Sequence, residues 1–520
     1  MRKLTAGGDG KLPVRPLFIL IMLLALFLRL WRFGAVPAGI NQDEAFAGYE
    51  AWSLLHYGFD SSGCSFPVYF TSWGSGMNAL GIYLMLPFVA LFGPEVWAIR
   101  LPQLLVSCLS LAAVFGLVRR LAGDRAALFA LLLLAFCPWH VYMSRWGLES
   151  NLAPGFLSFG LYFLVRGFED ERFLPLAALM YGLSLYAYAV LWPIMPLLLL
   201  LLLAYGFFCR RLRFSGWLCA SAAILLALAL PLMLFLLVNY GFIGELSIGP
   251  FTIPKLVQLR SAELSLSNIA DNAGNLWRLL KSVAGGLPFK YTGSGGLFSV
   301  CTLPFFLLGL WRCIAGLARS LKSREPCLEA MLLFWLLSAL LLGLLTAVNE
   351  TRFNCAYVPM LITAALGLDR FVSLTKRELV TGLVFAAYLA HMGAFAVYYF
   401  RDYPGNMAYA YAYGLDEALE LAAGTDGRIY LDTGIYYSDV LFYLQQPTDE
   451  YVETVVYKNY PSAFLDVASF GRCVFGIDPE DIDPGGAYVF LTGNEAAGAL
   501  LDAGFALQNC GIYTAALPLQ

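Results

Sequence analysis

The feature that most constrains this chain is its run of long apolar stretches, among them Leu17–Leu30 and Leu197–Ala204. A helix needs about 20 predominantly apolar residues to cross hydrocarbon, where all backbone N–H and C=O groups must pair within the segment. Hydrophobic residues make up 60% of the chain and charged residues 13%, against roughly 25% charged in ordinary soluble domains. That excludes a soluble globular enzyme and points to a polytopic α-helical membrane protein.

Basic residues between the apolar stretches supply the sidedness. They cluster at Arg2, Lys3, Lys11 and Arg15; at Arg119, Arg120 and Arg125; at Arg166 and Arg172; at Arg210, Arg211 and Arg213; at Arg312, Arg319, Lys322 and Arg324; and at Arg370, Lys376 and Arg377. Placing all of them in the cytoplasm satisfies the positive-inside rule. It gives about eleven spans, at roughly 16–35, 97–118, 126–143, 153–168, 173–190, 191–208, 215–238, 297–316, 328–347, 354–369 and 379–399. The N-terminus is then cytoplasmic and the C-terminus extracytoplasmic, in the plasma membrane. The apolar run Ala79–Phe92 is left out of the crossings as an interfacial or re-entrant helix. Its inclusion would put Arg119, Arg120 and Arg125 outside. The first run is too long for a signal peptide and lacks a small-residue cleavage site, so it reads as a retained anchor.

The formal net charge of -3 averages two unlike parts. Residues 1–400 carry 29 basic and 19 acidic side chains, whereas residues 401–520 carry 4 and 17. The second part also changes in pattern. Arg428–Leu431, Arg472–Gly476 and Ala487–Leu491 read as short buried strands, and Asp416–Ala422 and Asn494–Leu501 as helices, separated by turn strings such as Asp483-Pro484-Gly485-Gly486. This predicts a small external α/β domain over 401–520, following a membrane domain over 1–400. Of the eleven cysteines, Cys473 and Cys510 stand alone in this tail, either paired or as free thiols.

Two external loops are long, 36–96 and 239–296, and long loops in compact proteins usually carry function. The first contains Asn41-Gln42-Asp43-Glu44, a helix start in which the acids sit on the positive end of the dipole. Asp43 is either a helix cap or, partly withdrawn from water, a tuned general base. Glu44 beside it faces elsewhere on the helix, so of these two catalytic candidates one acts and the other helps hold the loop. The second long loop offers Leu256, Leu259, Leu264, Leu276, Leu279 and Leu280 for short amphipathic helices, as a lid or as a solvated connector. Arg100, Arg145 and Arg352 break the positive-inside pattern, and Glu149 is a rare acid at the outer surface. Isolated arginines at helix ends suit a phosphate, which guanidinium binds with directed hydrogen bonds. Arg145 and Glu149 could instead pair along one helix face.

In order along the chain, Arg29-Leu30, Asp43-Glu44, Ala51, Gly58, Pro67-Val68-Tyr69-Phe70, Phe92-Gly93, Arg100-Leu101-Pro102, Ser144-Arg145 and Glu350–Phe353 with Pro359 resemble the GT-C superfamily of membrane glycosyltransferases. Within it, they resemble the branch of dolichyl-phosphate-mannose protein mannosyltransferases and lipid A aminoarabinose transferases. The resemblance covers about the first 370 residues. It implies transfer of a sugar from a polyprenyl-phosphate donor in the membrane to an acceptor at the outer face, with inversion. Asp43 would be the base, Glu149 would position the acceptor, and Arg352, Arg145 or Arg100 would stabilise the leaving phosphate. Where many relatives carry a lysine and paired prolines near the end of the first loop, this chain has Trp73-Gly74-Ser75-Gly76-Met77-Asn78. That leaves a protein, a glycan or a glycolipid as acceptor.

No cofactor is expected. His56, His140 and His391 lack ligand spacing, and a divalent cation would have to sit between oxygens of Asp43 and Glu149. The expected partners are the lipid-linked donor, membrane lipid and the acceptor, with no nucleic acid. The rival class is a transporter or lipid-linked sugar flippase, which should show internal repeats and charged or broken helices at mid-membrane. The sequence shows no repeat, and its charges lie at span ends.

Overall fold

The computed structural model describes residues 13–258, 268–285, 296–375 and 378–519. The basic residues Arg2, Lys3, Lys11, Arg260, Lys290, Lys376 and Arg377 lie outside the described residues, as do Leu259 and Leu264. The N-terminal part is helical: α1 (Val14–Leu30), α2 (Gln42–His56), α3 (Ala79–Phe92), α4 (Val96–Ala122), α5 (Asp124–Ala135) and α6 (Pro138–Met143). It continues with α7 (Ala153–Gly167), α8 (Leu174–Ala187), α9 (Met195–Phe208), α10 (Gly216–Asn239) and α11 (Ile269–Gly285). The last four are α12 (Thr302–Ser323), α13 (Leu328–Leu345), α14 (Tyr357–Thr375) and α15 (Glu378–Val397).

Each segment expected to span is helical, although 126–143 breaks at Pro138 into α5 and α6. Among the described residues, six helices are long and apolar enough to cross a membrane: α4, α10, α12, α13, residues 354–375 and residues 378–406. The basic clusters meet one another through ion pairs: Arg120 with Glu169, Arg211 with Glu325, Arg213 with Glu171, and Arg125 and Arg312 both with Asp369. The more exposed of these, such as Arg120–Glu169 and Arg211–Glu325, add little stability. Together they join segments far apart in sequence.

The first long loop carries α2, a two-strand ladder of β1 (Tyr69–Phe70) and β2 (Met77–Asn78), and α3. The other long loop holds a hairpin of β3 (Leu246–Ile248) and β4 (Phe251–Ile253), then α11. Leu276 and Leu279 of α11 are buried, and Leu276 sits where a side chain on Gly343 of α13 would stand. The apolar face of this helix is therefore packed on the bundle.

The tail contains α16 (Tyr403–Asn406), α17 (Leu415–Ala423), β5 (Ile429–Leu431), α18 (Tyr437–Leu444), α19 (Thr448–Thr454) and β6 (Val456–Tyr457). It ends with β7 (Val467–Phe470), β8 (Cys473–Phe475), β9 (Ala487–Leu491), α20 (Ala496–Asp502), β10 (Phe505–Cys510) and β11 (Tyr513–Pro518). These build a seven-stranded sheet in the order β10-β11-β9-β5-β8-β7-β6. Strand β5 pairs in parallel with β8 and β9, and the other pairings are antiparallel. Cys473 and Cys510 are buried free thiols. Their strands stand four places apart in the sheet, about 19 Å at the usual strand spacing, so no disulfide can join them.

The tail and the first loop are not separate bodies. One hydrophobic cluster contains Phe46, Ala51, Trp52 and Leu54 of α2 together with Leu419, Val440, Leu441 and Phe442 of the tail. Gly48 permits the contact, since a Cβ there would stand 2.6 Å from the Phe442 ring. Polar contacts add to it: Tyr49 donates to the Gln446 carbonyl at 2.8 Å and Asn41 to the Ala410 carbonyl at 3.1 Å. The helix α2 is thus buried along almost its whole length, between membrane helices and tail.

Candidate active site

Two of the arginines and one of the acids expected to act are consumed by the fold. Asn41 starts α2, its side chain accepting from the Asp43 N–H at 3.2 Å while its own N–H donates to Glu44. That turns Glu44 inward, where it is buried and receives Arg100 Nε and Nη2, both at 2.8 Å, and the Gly147 N–H. Arg100 is equally buried and spends its remaining fork on the carbonyls of Pro37 and Gly39, at 2.9 and 2.8 Å. With four of five N–H bonds directed into protein, Arg100 has no face for a phosphate. Glu44 and Arg100 form a bidentate pair that locks the first loop to the head of α4.

Arg145 is corrected in the same way. It is buried and donates to the carbonyls of Leu28 and Arg29 at the end of α1 and of Arg32 and Val36 just beyond it. Four orphan carbonyls are expected at a helix C-terminus, and a cation suits its dipole. Arg145 therefore caps α1, and it neither pairs with Glu149 nor faces a ligand. The histidines do not meet either: His56 bonds the Trp52 carbonyl, whereas His140 lies between Arg29 and Ser110.

Glu149 and Arg352 are brought together. They line one cavity of about 250 Å³ with Tyr69, Asn78, Trp192, Tyr240 and Thr346. Glu149 opens a short 3-10 turn after the buried Trp146-Gly147-Leu148 stretch, and its carboxylate accepts from both the backbone N–H and the side-chain amide of Asn78, the latter at 3.0 Å. Arg352 follows an Asx turn in which Asn349 Oδ1 accepts from the Thr351 and Arg352 N–H groups at 3.1 and 2.8 Å. Asn354 ties the two loops, donating to the Ser150 carbonyl at 2.8 Å.

The rest of the wall is aromatic, with Tyr69 4.6 Å from Phe235 and 5.8 Å from Trp192 between ring centroids. Two polar atoms of lining residues, Asn78 Oδ1 and Thr346 Oγ1, are buried with no hydrogen-bond partner. Buried polar groups are normally satisfied, so such orphans at a cavity point to a polar ligand. In the sequence, Asn78 ends its string without showing a role, and nothing there signals Thr346, Tyr240 or Trp192, which only tertiary folding brings to the cavity.

Asp43 faces elsewhere. It lines a second cavity, of about 540 Å³, with Gln42, Trp73 and tail residues including Tyr436, Tyr437, Lys458 and Asp466. No residue is shared between that lining and the one holding Glu149 and Arg352. Asp43 thus borders a different cavity from Arg352, the phosphate ligand named with it from the sequence, and from Glu149, the other possible cation oxygen donor. Among the described residues, no group of three or more His, Cys, Asp or Glu could hold a metal ion. The tail adds Asp439 behind Asp43. Burial, then the nearby Asp43 charge, holds its carboxyl well above the ordinary carboxylate range.

The sequence profile of the dolichyl-phosphate-mannose-protein mannosyltransferase family matches residues 79–235, from α3 into α10, a stretch that includes Glu149. No curated relative matches the chain in sequence. In fold it is similar to ArnT from Cupriavidus metallidurans in the apo state, with a TM-score of 0.58 and 14% identity over 96% of this chain and 98% of that one. The same protein bound to undecaprenyl phosphate gives a TM-score of 0.53 and 15% identity, over 96% and 97% of the two chains. The chain is thus an integral membrane protein with an ArnT-like GT-C fold. Within that class it resembles the branch of the protein mannosyltransferases and ArnT.

Proposed function

We propose that the protein transfers a sugar from a polyprenyl-phosphate donor to an acceptor nucleophile at the extracytoplasmic face of the membrane, with inversion and without a metal. The observation that carries this reading is the single cavity holding the Arg352 guanidinium, the Glu149 carboxylate and two buried polar atoms without partners, against an aromatic wall. The lipid-linked donor is supported by the undecaprenyl phosphate bound to the ArnT of similar fold.

In this scheme Glu149, oriented by Asn78, takes the proton of the acceptor hydroxyl. The acceptor oxygen forms its bond to the anomeric carbon as the bond from that carbon to the phosphate oxygen breaks. The phosphate leaves with the electron pair, and Arg352 is placed to meet the charge that develops there. The base role given to Asp43 by resemblance is assigned to Glu149 because Glu149 shares the cavity of Arg352, where the reacting hydroxyl must meet the anomeric carbon and a base must lie within reach of its proton. Asp43 lines the neighbouring cavity and would contact the rest of the acceptor.

The test is turnover of a polyprenyl-phosphate sugar by purified protein carrying Glu149→Gln or Asp43→Asn. Loss of a general base costs about 10² to 10⁴ in kcat, expected for Glu149→Gln, whereas Asp43→Asn raises the acceptor KM. An active Glu149→Gln beside a dead Asp43→Asn would return the base role to Asp43. Chelation with EDTA leaves turnover unchanged.

A further inference from the structure

The segment Trp73–Asn78, where this chain departs from many of its relatives, separates two kinds of space. Ser75, Gly76 and Asn78 line the cavity of Glu149 and Arg352. Trp73 lines the cavity beside Asp43 and also a third cavity of about 540 Å³, bordered by Ser61–Ser65 and by Tyr451, Tyr457 and Tyr460. Those last two cavities share Trp73, Tyr437 and Leu465, so they flank one indole.

Trp73 is held there against its own preferences. Its φ of +55° is a left-handed conformation that a bulky side chain rarely adopts, and such strain concentrates at ligand sites. Its neighbour Gly74 also has positive φ, and a Cβ there would stand 2.2 Å from the Ser462 carbonyl. The Trp73 carbonyl accepts from the Leu465 N–H at 2.8 Å, so the tail itself fixes this turn. The indole packs edge-on to Tyr437, at 4.6 Å and 65°, and to Tyr436, at 5.4 Å and 88°. Its Nε1–H is buried and finds no acceptor.

From these features we infer that the cleft between the first loop and the tail, centred on Trp73, binds a neutral or amino-sugar oligosaccharide. A pyranose ring has an apolar C–H face and a hydroxyl edge. Aromatic rings with polar tips match both parts, and the orphan indole N–H requires an acceptor such as a sugar oxygen. Charge decides which saccharides fit. Asp43, Asp466 and Glu245 line the two cavities against Lys458 and Lys255, and the surrounding domain is strongly acidic, so an anionic polymer is disfavoured. Resting on the transferase reading above, this makes the acceptor a glycan, its body held in the cleft while its reacting hydroxyl reaches Glu149 at the Asn78 end of the segment.

The experiment is a binding titration, independent of transfer, of detergent-purified full chain with mannohexaose, cellohexaose and chitopentaose, followed by tryptophan fluorescence and calorimetry. Trp73→Gly removes the ring and fits the positive φ; Tyr460→Ala, at an exposed position, tests the far cavity without touching the turn. The inference predicts saturable binding of at least one of these saccharides, weakened about tenfold or more by Trp73→Gly, the equivalent of ~1.4 kcal/mol. Tyr460→Ala should weaken it less. Binding to none of them, or binding unchanged in both variants, overturns the inference. Transfer to a non-saccharide acceptor with no saccharide binding overturns it while leaving the transferase reading intact. Saccharide binding with no transfer does the reverse.

Discussion

Glu44 and Glu149 are both acids near the outer ends of expected spans, and the difference between them lies in their partners. Glu44 is sealed against Arg100, and removing one member of a buried ion pair leaves the other charge uncompensated, at a cost of roughly 3–5 kcal/mol. Arg100→Met is therefore expected to lower the unfolding midpoint strongly, whereas Arg352→Ala, at a cavity wall, should leave it near wild type and lower kcat/KM for the donor about 10² to 10³-fold. Equal loss of stability in both variants would contradict the assignment. A second contrast concerns protons. Asp60 is pushed up to about 7 by burial, and Glu50, buried beside it, also lies well above the carboxylate range. In the unfolded chain both lose their protons near pH 4, so between that pH and about 7 only the folded chain holds them. The unfolded state binds fewer protons in that window, and stability falls as pH rises through it. Asp60→Asn should flatten the decline, as followed by unfolding midpoints from pH 4 to 8. An unchanged slope would show that Asp60 does not titrate there.

At the scale of elements, what was legible in the sequence follows from periodicity and length. The expected spans are helical because each needs only its own apolar residues, and β5, β8, β9, α17 and α20 form where turn strings bounded them. The helices α18 and α19 lie outside the elements expected from the sequence. Helix α18 packs its Phe442 over Gly48 of α2, a contact that no local pattern announces. The site was legible in the same proportion. Charge at a span end is visible in sequence, but whether an arginine meets a carbonyl, as Arg145 does, or lines a cavity, as Arg352 does, depends on contacts over a hundred residues or more. The α2–α18 contact makes its own prediction. Gly48→Leu forces a side chain into the Phe442 ring, and overpacking typically costs about 1–3 kcal/mol. The variant should become sensitive to protease within the tail while α4 to α14 stay protected; an undisturbed tail would mean that α2 is not what holds it.

For the molecule as a whole, the two compositions share one core. The basic bundle and the acidic tail meet in one hydrophobic cluster running from Ile40 to Ile99 and from Ala412 to Ala515, and α2 belongs to both. A domain must bury enough apolar surface to offset its conformational entropy. Without α2, the tail would expose the faces that Val440, Leu441 and Phe442 now turn to it, and surplus acidic charge adds solubility, not core. Residues 401–520 expressed alone are therefore expected to unfold non-cooperatively or to bind hydrophobic dyes. Linking residues 36–60 to them should restore a cooperative transition, because that segment returns α2 and the Asn41 and Tyr49 hydrogen bonds to the tail. Calorimetry of the two fragments measures it directly. A tail fragment that melts cooperatively by itself, at the same temperature with or without the α2 segment, would mean that the shared core is a docking contact between finished domains.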